Sequence, residues 1–501
     1  MCVGCGGGGS STDGPAPASV VEPHAPAVSG DGDPATPAPP NAAPLTIACE
    51  GAGCGAEAGR YGGAGVGVWT LANGQDSVRE ALISLDGVAG KRVTLLLSDQ
   101  PALPPVVEEK SASPDPVAMP LPAGTLALGS VRDWRARDDS FHRTSLVRER
   151  IAADGRPLRV WIEEGEVDDT HVTEAMLAAF ATRLAGTPDA LYESVTALGG
   201  IPWGPHGRGN LIDPQAPLDV VLIRFPAGDS SVGYFLSRDL LRQSANAASN
   251  EALSLYVDTR ALYAGSSQGL LRTLSTTAHE LTHAINYYRR GVRMFQAPAT
   301  GYAYADWLEE MSALMMEDLV GLRITGNYNA ARDLRVPRWF GSSALSCPLT
   351  DFQADPQRSC FSYDALGSFG AWLLRAYGAG FYRALLRDGS SVDSRVLLDH
   401  SIRVAGGPGL DEALRRWGTS GFLASGSPSG GYGFPTRNED GYALPAITGK
   451  GLFESPARLD TALPVLGQRA AARTPQTARY SETFQLPAHS VLTVIVRESG
   501  Q

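Results

Sequence analysis

Long apolar runs are missing from this 501-residue sequence: no stretch of about 18 or more apolar residues occurs, which excludes a transmembrane helix in it. Basic tracts are missing as well. A formal net charge of -11 with no cluster of Lys and Arg argues against nucleic acid as a partner, because phosphate binding rests on gathered cations. Histidine is scarce at 8 residues and cysteine at 6, so any place where either gathers is informative. With 43% apolar and 19% charged residues, the chain can bury a large core and is expected to divide into two or three domains. Four of the six cysteines form two close pairs, Cys49 with Cys54 and Cys347 with Cys360. Short-loop disulfides would close easily there in an oxidising compartment, and none of the cysteines has histidine partners at zinc-finger spacing.

Two of the few histidines stand four residues apart in the run from Ser275 to Tyr288, as His279-Glu280-Leu281-Thr282-His283. On a helix they are separated by about 40° around the axis, so one cation can reach both. Glu280 is held beside whatever the metal binds, which suits it to take a proton from metal-bound water. From Gln268 to Tyr288, Leu270, Leu274, Leu281, Ile285 and Tyr288 fall within one narrow arc. His279 and His283 project from the opposite pole with Thr276 and Asn286, away from the leucines. Ser266 or Ser267 is expected to cap the start of this helix, and Arg289, Arg290 and Gly291 to close its end.

A catalytic zinc usually takes three protein ligands and keeps one position for water, so a third group is needed. Residues 305–319 read as a second amphipathic helix with a stripe of Trp307, Leu308, Met311, Leu314, Met315 and Leu319. Counted from Met311 at about 100° per residue, Glu309 falls roughly 160° away, on the solvent side, and Glu310 roughly 100° away, at the border of the stripe. Glu310 is therefore the expected third ligand. It lies 27 residues beyond His283, enough to end one helix, cross a loop and begin another.

His279 to Tyr287, Trp307 to Glu310 and Met316 to Leu319 together resemble the hyicolysin-type metallopeptidases, members of the thermolysin-like gluzincins. Val232 to Phe235, Ser249 to Glu251 and Leu255 to Asp258 look like that family's lead-in, and Ser362-Tyr363 with Leu374 to Gly378 like its continuation. The likeness covers about residues 145–425. It implies an α+β fold: a thermolysin-like zincin catalytic domain, with a small sheet, the HExxH helix and a mainly helical second lobe, carrying flanking β modules. It implies His279, His283 and Glu310 as ligands of one zinc ion, Glu280 as catalytic acid/base, and a protein or peptide substrate. The sequence departs from the family next to the ligand, with Glu309 and Met311 where Asn and Gly are usual.

The stretch 1–44 is a Gly-, Pro- and Ala-rich leader whose composition keeps it from folding. Cys5, followed by a glycine and serine tether, resembles the mature start of a bacterial lipoprotein, which makes it a candidate for lipid attachment and places the protein outside the cell or in the cell envelope. Residues 45–128 read as a β-rich module with strands at 66–71, 78–85 and 93–97. The catalytic domain is expected over 129–425, with strands at 158–163, 220–225 and 253–258 and helices at 169–185, 369–377, 381–386 and 410–417. Strands at 480–486 and 490–496 give 426–501 as a C-terminal β module, packed on the N-terminal one. An edge strand beside the metal helix would pair with an extended substrate backbone.

The pattern thus predicts a secreted or lipid-tethered zinc endopeptidase. The alternatives are a surface-binding lipoprotein that retains the scaffold without turnover, and a zinc hydrolase acting on a non-peptide amide or ester. Tyr287, Tyr288, Tyr363 and His400 are candidates for steadying an oxyanion. Ordinary structural roles are expected for His24, His142, His171, His206 and His489.

Overall fold

In the computed structural model, the structure describes residues 2–6, 48–100, 103, 126–263, 268–294, 303–341, 345, 347–355, 360–423, 431–449, 459 and 463–498. The first half is mainly β, with β1 (Cys2–Gly6), β2 (Ala48–Glu50), β3 (Gly67–Asn73), β4 (Arg79–Asp86), β5 (Arg92–Asp99), β6 (Val131–Arg135), β7 (Phe141–Ile151) and β8 (Pro157–Glu163). Helices α1 (Glu174–Leu184) and α2 (Leu191–Gly199) lead to β9 (Leu218–Ile223), β10 (Ser231–Leu236) and β11 (Leu253–Asp258). Then come α3 (Thr259–Tyr263), α4 (Gly269–Asn286), α5 (Asp306–Thr325), α6 (Val336–Phe340), α7 (Ser362–Arg387), α8 (Ser394–Val404) and α9 (Leu410–Ser420). Strands β12 (Arg437–Glu439), β13 (Tyr442–Leu444), β14 (Gln468–Arg473), β15 (Arg479–Leu486) and β16 (Ser490–Arg497) follow.

The fold is mixed α+β. Its largest sheet among the described residues has seven strands in the order β1-β10-β11-β9-β8-β7-β6, larger than the small sheet expected. The inner strands β8, β9 and β11 run parallel, and every residue of β9 and β11 is buried, which is why both read as near-continuous apolar runs. Strand β10 pairs antiparallel with β11 on one side. On its other side it pairs with β1. Within the stretch 1–44, Cys2–Gly6 supplies backbone donors and acceptors to an edge of the sheet. The rest of the leader, and His24 with it, lies outside the described residues.

The strands expected for separate N- and C-terminal modules belong to one sheet, ordered β14-β5-β16-β3-β2, while β15 pairs with β4. Strand β16 runs antiparallel between β3 and β5, with Val494 opposite both Trp69 and Leu95. Alternation along β4 and β15 buries Ile83, Leu85 and Phe484 with Leu71, Leu97 and Val496 in a core of their own. Each fully buried aliphatic side chain there contributes about 1.5–3 kcal/mol.

Helix α4 lies against β10 and β11, with α5 packed on α4 and α7 on α5. Gly370 permits the last approach, since a Cβ there would stand 2.7 Å from Met315 Cγ and 3.3 Å from Met311 Cγ. The segments expected at 369–377 and 381–386 fall on the two helical stretches of α7, which are separated by a kink at Gly378, whose φ is 83°. Disulfides join Cys49 to Cys54 and Cys347 to Cys360. Among the described residues no helix is long and apolar enough to cross a membrane.

Candidate metal centre

The leucine arc of α4 packs into the main core, as its spacing predicts, but the opposite face is covered as well. From Thr273 to Asn286 every residue except Thr276 is buried. The threonines fit this dry setting because their hydroxyls bond back along the helix: Thr273 to the Gly269 carbonyl, Thr277 to that of Thr273, and Thr282 to that of Ala278. The predicted start cap, Ser266 or Ser267, lies outside the described residues, and Gln268, which directly precedes the helix, makes no side-chain cap. At the other end the backbone continues into a π-helical segment, Tyr287–Met294. Arg289 and Arg290 donate to the carbonyls of Gly199 and Asp388.

His279 and His283 point from α4 toward α5, their ring centroids 4.7 Å apart. Glu310 stands between them, its Oε2 at 3.1 Å from His279 Nε2 and 4.0 Å from His283 Nε2. One ligand atom from each of the three lies within 4.8 Å of the others. His283 Nε2 is buried and makes no hydrogen bond. Each ring is held from behind by a carboxylate: His279 Nδ1 lies 2.8 Å from Glu317 Oε1, and His283 Nδ1 lies 2.8 Å from Glu309 Oε1. An ionised carboxylate only accepts, so these contacts keep the proton on Nδ1 and leave Nε2 to face Glu310. Ser275 donates to Glu317, and Asn286 to both Glu309 and the Ser312 hydroxyl.

Glu309 is the principal correction to the sequence reading. It was expected in solvent and is 7% exposed, because α4, α7, α2 and β13 all pack against α5 and the apolar stripe does not mark its only buried face. Neither Glu309 nor Glu317 was anticipated as a histidine partner. The signal that could have found Glu317 is its position seven residues, about two turns, after Glu310 on the same helix face.

Burial by itself would lower the pKa of His283, but the Glu309 hydrogen bond and the Glu310 charge raise it above its ordinary value. For Glu317 burial acts upward, yet the bond to His279 brings the carboxyl below its usual range. Four carboxyl groups, those of Glu280, Glu309, Glu310 and Glu317, are thus buried around two imidazoles. Buried anions need a paired or coordinated cation, so the residues present fit a divalent metal. Glu280 is fully buried and faces strand β10 across from Gly233.

The oxyanion candidates make the following contacts among the described residues. Tyr288 donates to the Pro205 carbonyl, Tyr363 packs between Phe352, Phe361 and Arg335, His400 pairs with Asp388, and Tyr287 packs on Phe235. His142 and Glu163, His171 and Asp168, and His489 and Asp76 form pairs, while His206 bonds to the Ile212 carbonyl.

Residues 138–497 match Peptidase M30, and residues 47–108 match a domain of unknown function (DUF8571). No curated protein matches the chain. Among solved structures, similarity is found to a two-domain M1 zinc metallopeptidase variant bound to L-arginine, at 13% identity and a TM-score of 0.31, covering 69% of this chain and 64% of that one. Similarity is also found to an M1 zinc metallopeptidase from Deinococcus radiodurans, at 14% identity and a TM-score of 0.30, covering 75% and 67%. The chain thus spans about 64% of the length of the first of these structures. With 138–497 matched, the chain belongs to the Peptidase M30 family, the hyicolysin family of zinc metallopeptidases.

Proposed function

We propose that this protein is a zinc-dependent endopeptidase of the thermolysin-like gluzincin kind, in which His279, His283 and Glu310 hold one zinc ion and Glu280 is the acid/base. The observation that carries this reading is the convergence of two imidazoles and one carboxylate within 4.8 Å in a buried, anionic setting. That donor set suits a catalytic zinc with one position left open. When bound, zinc would polarise the scissile carbonyl and acidify the attacking water toward neutral pH. Glu280 takes the proton from that water and returns it to the departing amine. Glu309 and Glu317 fix the orientation of the two rings and raise their basicity.

An extended substrate would lay its backbone along β10, which Glu280 faces at Gly233, and would compete there with Cys2–Gly6 for the same donors and acceptors. We further propose a secreted or envelope-bound protein, with 1–44 as a tether lipidated at Cys5 and 129–425 as the catalytic domain. The two disulfides support an oxidising compartment. The experiment is metal identity and stoichiometry on protein purified without chelator, followed by casein degradation. One zinc per chain is expected, with cleavage blocked by a chelator and restored by zinc. Absence of zinc, or cleavage indifferent to chelation, would refute the reading; bound zinc without cleavage of any peptide would favour the surface-binding alternative.

A further inference from the structure

The sheet comes very close to the metal helix at Gly233 on β10. A Cβ at that position would stand 2.7 Å from Thr276 Cγ2 and 3.1 Å from both Cγ and Oε1 of Glu280. The first distance is shorter than two carbons tolerate, and the other two require the neighbour to give by a few tenths of an ångström. Gly233 is in regular antiparallel register with Val257, and its φ lies outside the left-handed region, so glycine is required there for space and not for backbone conformation.

We infer that Gly233 is a positioning residue for Glu280: its missing side chain leaves the slot in which the Glu280 carboxylate is seated, and the Thr276 methyl sets the depth of that slot. The inference rests on the reading of Glu280 as acid/base. Thr276 and Glu280 are four residues apart and therefore on one face of α4. If a side chain entered the slot, the parts would yield unequally. Strand β10 is held by its hydrogen bonds to β11, and Thr276 is β-branched and stiff about χ1. Glu280, with three rotatable bonds, is the softest of them. Crowding would thus fall on the carboxylate that must meet the water, while His279, His283 and Glu310 would keep their places.

The test compares Gly233→Ala, Thr276→Ser and the double variant on one peptide substrate, with zinc content measured for each and Glu280→Gln alongside. Gly233→Ala is expected to lower kcat roughly ten- to a hundred-fold with KM and zinc content unchanged. Adding Thr276→Ser, which removes the nearest methyl, should recover most of that loss. An unchanged kcat in Gly233→Ala overturns the inference, as does a loss in folded, zinc-loaded protein that Thr276→Ser does not relieve. If Gly233→Ala does not fold, Thr276→Ile narrows the same slot from the helix side and should give the same selective fall in kcat; full kcat there overturns it equally. Activity surviving Glu280→Gln would instead refute the role of Glu280, an outcome distinct from an indifferent Gly233.

Discussion

His283 Nδ1 lies 2.8 Å from Glu309 Oε1, so the carboxylate next to the expected ligand serves the histidine from behind instead of facing solvent. Two carboxylate–imidazole pairs, one at each ring, back the site.

Glu309→Gln keeps a hydrogen-bond acceptor but loses the charge that strengthens the bond. Zinc affinity, measured by competition with a chromogenic chelator, should fall about ten- to a hundred-fold. Glu310→Gln removes a direct donor and should lose more. Weaker binding in Glu309→Gln than in Glu310→Gln would mean that the two glutamates have exchanged roles.

Glu280→Gln is nearly isosteric and leaves the three donors in place. Zinc stoichiometry should stay at the wild-type value while kcat on a peptide drops by at least about 10²-fold, the usual scale for losing a general acid/base. Turnover at the wild-type rate would show that the proton is handled elsewhere.

Behind the site, Arg375 Nη1 lies 2.6 Å from Asp318 Oδ2, and both side chains are buried. Asn329 donates to the same carboxylate. Asp318→Ala strands the guanidinium in a dry interior and should cost about 3–5 kcal/mol. The readout is the urea midpoint, expected to fall markedly; a midpoint within error of wild type would mean that water reaches Arg375.

In the central sheet, burial raises the Asp219 carboxyl to about 6, partly opposed by the hydrogen bond it accepts from Trp161 Nε1 at 2.7 Å. Between its unfolded pKa and about 6 the folded state therefore holds the proton more tightly than the unfolded one. The stability from this group is fully present below the unfolded pKa and is lost as pH rises through 6. Asp219→Asn, which can still accept from Trp161, removes that slope. Relative to wild type it should gain about 2 kcal/mol on going from pH 4 to pH 7, read from denaturant midpoints at each pH. Parallel pH profiles for the two proteins would rule this out.

Much of the scaffold was legible in the sequence. Strand 253–258 falls where β11 stands, and 158–163, 220–225, 480–486 and 490–496 differ from β8, β9, β15 and β16 by one or two residues at their ends. Apolar runs and alternation are local properties, and strand formation follows them. That His279 and His283 share one face was legible for a similar reason, since a four-residue spacing sets two side chains on the same side of a helix whatever surrounds it, whereas their meeting with Glu310 depends on the packing of α5 on α4.

What the sequence by itself determined, then, is each segment's preferred shape and the directions in which its side chains leave it. Only the tertiary structure decided which of those directions meet solvent. Helix α5 is enclosed by neighbours distant in sequence, so an angle measured from its apolar stripe misplaced Glu309 and said nothing of Glu317. The pairing of β16 with β3 and β5, across some four hundred residues, was likewise settled by long-range packing, because a strand's pattern specifies a buried face but not the partner that will bury it.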